Sequence, residues 1–181
     1  AGSIGFVFDY VYASGDDNVL DNKDESFRDF SALGTNTSDR YFGEIFGKSN
    51  TLGNVTGFGT TPAGQGLDSG AQGQGKSIWR LGVTYTPPIL EKKTWASLDY
   101  YALSRAEDTV NTVNVGEDFG DEIDLILGYD HSDKVGIELG YAVLDPDDAA
   151  EVASGNAIGS TPKDDITKFF ARAKIKFGGE E

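Results

Sequence analysis

Glu122 and Asp124 stand two residues apart, on one face of any strand that holds them. Paired carboxylates do acid–base chemistry when their environments separate their protonation states. That chemistry also needs a nucleophile, a metal or a closed pocket. The chain supplies none: it has no Cys, and its one His, His131, lies in the polar stretch Asp130-His131-Ser132-Asp133-Lys134. Without Cys, disulfide frameworks and thiolate zinc sites are excluded as well. Gly75-Lys76-Ser77 has the look of a phosphate loop, but it precedes an alternating segment where a P-loop would follow a strand. No catalytic residue and no cofactor are expected.

Charge is the remaining chemistry. Arg172, Lys174 and Lys176 fall on one strand face as a basic ladder, able to pair with carboxylates on neighbouring strands or to attract anions. Asp16, Asp17, Asp21, Asp24 and Glu25 form one acidic cluster, and Asp145, Asp147 and Asp148 another. Hard oxygen ligands at such spacing suit Ca²⁺, yet neither cluster has the Gly at position six or the closing Glu of an EF-hand loop. Solvated acidic loops are the expectation. Asp16, Asp17, Asp21, Asp145, Asp147 and Asp148 stand as weak metal candidates only.

Six segments of period-two alternation position these charges: 4–13, 78–86, 95–105, 122–130, 135–144 and 168–177. In the first, Ile4, Phe6, Phe8, Tyr10 and Tyr12 oppose Gly5, Val7, Asp9, Val11 and Ala13. In the fifth, Val135, Ile137, Leu139, Tyr141 and Val143 oppose Gly136, Glu138, Gly140 and Ala142. No apolar-face position carries a charge in any of the six. The opposite faces hold Asp9, Arg80, Asp99, Arg105, Glu122, Asp124, Glu138, Arg172, Lys174 and Lys176. Connections alternate between long (14–77, 106–121, 145–167) and short. This is the pattern of an all-β, antiparallel up-and-down meander.

Composition narrows the setting. The chain has 181 residues, the length of one domain, with 15 Lys plus Arg against 30 Asp plus Glu. A net charge of −15 argues against nucleic acid as a partner. A hydrophobic share of 38% is low for a conventional core, whereas 24 Gly and 12% aromatics suit strands and turns. A one-layer sheet with a single apolar face fits that shortfall. The chain begins at Ala1 and contains no Met, as a processed or excised chain would.

Strands of nine to eleven residues match a tilted crossing of a bilayer, and long loops on one edge with tight turns on the other describe a transmembrane barrel. In that orientation Tyr85, Tyr129 and Phe177 fall near one rim and Tyr12, Trp79, Tyr141 and Phe169 near the other, as two aromatic girdles. A soluble sandwich or lipocalin-like barrel would have an equally apolar inward face, and an acidic soluble β-domain binding carbohydrate or calcium is a further alternative. Six strands are too few to close around their own side chains, and open edges in lipid cost several kcal/mol for each unsatisfied group. The remaining strands are therefore expected from a longer parent chain or from other chains, self-association through the edge strands included.

The segment Tyr12-Ala13-Ser14-Gly15-Asp16-Asp17, the Tyr41-Phe42-Gly43 region, Ala96-Ser97-Leu98-Asp99-Tyr100, Gly120-Asp121-Glu122-Ile123-Asp124-Leu125, Gly136-Ile137-Glu138-Leu139-Gly140-Tyr141-Ala142 and Phe169-Phe170-Ala171-Arg172-Ala173 occur in this order. In order and spacing the chain resembles the C-terminal part of the alginate export family of outer-membrane β-barrels, over nearly its whole length except the Gly-rich insert from Gly53 to Gly75. The resemblance implies the last third of a barrel of roughly eighteen strands in a Gram-negative outer membrane, in contact with lipid and lipopolysaccharide. It departs from the family pattern at its end, where Phe177 is followed by Gly178, Gly179, Glu180 and Glu181. Alginate is a polyanion, but the candidate lumen charges balance: Arg80, Arg105, Arg172, Lys174 and Lys176 against Asp9, Asp99, Glu122, Asp124 and Glu138. The functional expectation is passive diffusion of small or charged solutes, anionic saccharides among them. The alternative is a structural subunit that pairs through its open sheet edges into a ring or fibre.

Overall fold

Bulky residues at every second position, with Gly or short polar residues between them, leave these segments little choice but extended pairing. The structure, a computed structural model, describes residues 2–15, 23, 43–47, 76–90, 93–104, 106–107, 109–110, 113–114, 116–147 and 165–177. The strands are β1 (Ser3–Ala13), β2 (Lys76–Thr86), β3 (Thr94–Ser104), β4 (Thr109–Val110), β5 (Val113–Asn114), β6 (Asp118–Ser132), β7 (Val135–Pro146) and β8 (Ile166–Ile175).

Six of them form one antiparallel sheet in the order β1-β2-β3-β6-β7-β8, so every neighbour in space is the next long strand in sequence. The sheet does not close: β1 and β8 are its two edges. The small pair β4–β5 stands apart, within the connection from β3 to β6. β6 begins at Asp118, inside what the sequence pattern leaves as loop, and so runs four residues further toward the long connections, with Phe119 at the register shift against β3. Arg105 lies outside the described residues, one position past the end of β3.

Register carries each face across the whole sheet. The row Phe6, Val83, Leu98, Leu125, Tyr141 and Phe169 is formed by direct partners in successive strands. Its neighbour on the opposite face runs Val7, Gly82, Asp99, Asp124, Ala142 and Lys168. β6 and β7 are joined by the two residues Asp133 and Lys134, a tighter turn than the polar stretch suggests, because β6 continues through Ser132. His131 is exposed beside a register shift between Asp130 and Ser132. A second shift, at Leu103/Ser104, faces Gly120, whose φ of +126° is open to glycine alone.

The two faces differ in exposure, in the sense opposite to a soluble domain. On the apolar face Phe6 is 81% exposed, Phe8 64%, Leu81 60% and Phe169 75%. On the charged face Glu122 is 0% exposed, Asp124 1%, Asp99 5% and Glu138 5%. Large apolar side chains normally lie inside, and carboxylates are almost never fully buried unless paired. This sheet is inverted.

Candidate functional site

Small residues make room on the charged face for large neighbours. Gly128 lies under the Trp95 ring, Gly140 under the Phe170 ring, and Gly82 beside the Asp99 carboxylate and Val7. A Cβ at any of these positions would collide with those side chains. The charged groups are thereby brought to one crowded surface, and they sort into two clusters.

The first joins β1, β2 and β3. Arg80 Nε donates to Asp99 Oδ1 at 2.9 Å, and its Nη1 donates to Asp9 Oδ2 at 3.3 Å. The guanidinium also lies 5.7 Å from the centre of the Tyr101 ring. Asp99 sits directly across from Asp124, a like-charge pairing that would be unfavourable if both turned to each other. Asp99 is held instead by Arg80, and Asp124 engages the second cluster through Oδ2.

The second joins β6, β7 and β8 to a segment from the long β1–β2 connection. Residues Gly43–Gly47 form a single π-helical turn laid against the charged face. Its backbone is held by wall carboxylates: the Glu44 N–H donates to Asp124 Oδ2 at 2.9 Å, and the Ile45 N–H to Glu122 Oε1 at 2.6 Å. Gly43 has a φ of +92°, and a Cβ there would come within 2.5 Å of the Glu122 carboxylate, so only glycine fits. Glu44 is 1% exposed and accepts from Arg172 Nη2 at 2.5 Å, with Lys168 Nζ 3.4 Å from its other oxygen. Lys168 Nζ also donates to the Glu44 carbonyl at 2.5 Å. Arg172 Nε reaches Glu138 Oε2 at 3.1 Å, and Lys174 pairs with the other Glu138 oxygen. Phe170 sits between the two cations, 4.3 Å from the Arg172 guanidinium and 5.5 Å from the Lys168 ammonium.

Ile45 enters a small apolar cluster with Ile78, Tyr101, Leu103, Phe119, Ala142 and Leu144, against which Ile166 packs. Ile78, Leu103, Phe119, Leu144 and Ile166 come from the strand ends that carry the long connections. The turn therefore seats at that end of the charged face.

Of the charged residues singled out in the sequence, Asp9, Arg80, Asp99, Glu122, Asp124, Glu138, Arg172 and Lys174 share this face. Lys176 follows the last residue of β8, exposed, its N–H donating to the Lys134 carbonyl. The Glu122–Asp124 pair binds backbone amides. Glu44, Lys168 and the apolar seat of Ile45 were not singled out. Their signal is faint: apolar Ile78, Leu103, Phe119 and Leu144 interrupt the charged face near the long connections.

Of the aromatic candidates, Tyr12, Trp79, Tyr85, Tyr141 and Phe169 are exposed on the apolar face and Tyr129 is half-buried there. Trp79 stacks with Tyr10, ring centres 4.2 Å apart, and with Phe8 at 5.5 Å. Phe177 lies just past β8 and is exposed. Among the weak metal candidates, Asp16, Asp17, Asp21 and Asp148 lie outside the described residues. Asp145 is exposed opposite Asp121, and the Asp147 N–H donates to the Phe119 carbonyl. Among the described residues no group of three His, Cys, Asp or Glu is placed to hold a metal ion, and no helix is long and apolar enough to cross a membrane. Comparison with models of protein families, with curated proteins and with solved structures gives no match in any of the three.

Proposed function

We propose that this chain is a six-stranded portion of a transmembrane β-barrel channel in the outer membrane of a Gram-negative bacterium, passing small or charged solutes by passive diffusion. The observation that carries the reading is the inversion of the sheet: buried, paired charges on one face and exposed Phe, Leu, Ile and Tyr across all six strands on the other. In water such an apolar face, broken only at its long-connection end by the exposed pair Asp121 and Asp145, would exceed the patch a monomer ordinarily leaves bare. In a bilayer it meets lipid tails, while the charged face lines a wet lumen. Strands of 10 to 15 residues are long enough for a tilted crossing.

The exposed edges of β1 and β8 ask for further strands. In hydrocarbon every unpaired backbone group is costly, so these edges pair with the rest of a longer chain or with other chains. The resemblance to the alginate export family favours the longer chain. A second reading rests on the same two edges: copies of this chain joined β1 to β8 into a ring or fibre.

Planar-bilayer recordings of the native particle test the channel. Discrete ohmic steps are expected. A particle that stays monomeric in detergent-free buffer and conducts nothing would contradict it. The mass of the native particle in detergent, set beside its denatured polypeptides, separates the longer chain or mixed barrel from a ring made only of this chain.

A further inference from the structure

We propose that the Gly43–Gly47 turn is a built-in constriction of the channel, seated at the long-connection end of the lumen and latched there by Glu44. The inference rests on the channel reading and adds to it what narrows the passage and what releases it. Three independent attachments converge on five residues. Wall carboxylates Glu122 and Asp124 accept the backbone N–H groups of Ile45 and Glu44, hydrogen bonds strengthened by charge. The Glu44 carboxylate is held by Arg172 and Lys168 from β8. Ile45 is buried among Ile78, Leu103, Phe119 and Leu144, gathered from four strands.

The wall is shaped for this visitor. Gly43 brings the backbone so close to Glu122 that no side chain fits between them. Without the turn, Glu122 and Asp124 would stand two residues apart on one strand with no backbone amide between them, a repulsive arrangement on a crowded face. Glu44 likewise supplies the negative charge that Lys168 and Arg172 face, since Glu138 is shared with Lys174. The contacts run in both directions: wall carboxylates accept the amides of the turn, and wall cations hold its own carboxylate. The turn occupies cross-section that solute would otherwise use.

Two readouts on the native particle test this. Because the chain has no Cys, Ile45→Cys gives a single label site whose reaction with a charged maleimide reports unseating of the turn. Adding Glu44→Gln is expected to speed labelling by about tenfold or more, the effect of losing one charge-assisted hydrogen bond. Gly43→Ala, which leaves every charge in place, is expected to do the same, so a general electrostatic effect is set apart. In planar bilayers Glu44→Gln and Gly43→Ala are expected to raise single-channel conductance over the wild type. Labelling that does not accelerate overturns the latch. Faster labelling with unchanged conductance shows a turn that is latched but obstructs nothing, and overturns the constriction. If the wild type does not conduct at all, the channel reading itself fails and the constriction falls with it.

Discussion

Gly120 and Gly5 lie in the same sheet and ask different things of the backbone. Gly120 has a φ of +126°, and a Cβ there would run into the Asp145 carbonyl, a backbone atom that cannot swing aside. Gly5 has nothing within 4 Å of the same virtual atom. Gly120→Ala is therefore expected to destabilise the protein by about 1–3 kcal/mol, the usual cost of a residue forced into a glycine-only conformation. Gly5→Ala is expected to be neutral or slightly stabilising, because Ala loses less freedom in a strand. Thermal unfolding in detergent, followed by circular dichroism, checks both, and equal melting temperatures for the two variants would contradict the account. The same scale explains what the sequence concealed. Glu122 and Asp124 are legible as a pair on one face, but their partners lie 77 and 80 residues away in the chain. Arg172 reaches Glu44 across 128 residues. No local spacing encodes such meetings, and Glu44 looks like any surface carboxylate until the fold brings Arg172 and Lys168 to it.

At the scale of the strands, alternation was readable because through the middle of the sheet each face keeps one character and register carries it from strand to strand, the exceptions lying at the strand ends. Phe6 and Phe169 share a row although five strand pairings separate them. Ends were less legible: Asp118 and Phe119 extend β6 into an acidic stretch because Phe119 finds the apolar cluster around Ile45, a tertiary reward that propensity does not register. A prediction belongs here. Leu125, in the middle of β6 and between Leu98 and Tyr141, lies on the exposed apolar face, which meets lipid under the proposed reading. Leu125→Arg is expected to destabilise the protein in a bilayer by about 2–4 kcal/mol, the penalty for a cation on a lipid face near the midplane. Thr84→Arg, exposed on the charged face of β2, is expected to cost little. Refolding into vesicles, followed by denaturant titration, reads both. If Leu125→Arg is as benign as Thr84→Arg, the outward face does not meet lipid.

For the whole molecule, the sheet's inversion and its free edges have one consequence under the proposed reading: lipid covers the apolar face and further strands pair with β1 and β8. The low apolar share agrees with this architecture, since a one-layer sheet with a single apolar face needs fewer such residues than a two-layer core. The sequence could not announce what pairs with the two edges, because β1 and β8 carry ordinary strand residues whose backbone groups pair with any partner. The most direct measurement is a single-cysteine scan of β2 and β3 with a nitroxide label, in lipid vesicles, against oxygen and a water-soluble nickel chelate. Labels at positions 81, 83, 85, 96, 98 and 100 are expected to collide with oxygen and be shielded from nickel, and those at 84, 86 and 97 the reverse, with a period of two. Equal accessibility on both faces, or nickel reaching the row of Leu81 and Leu98, would contradict a charged wall inside and lipid outside.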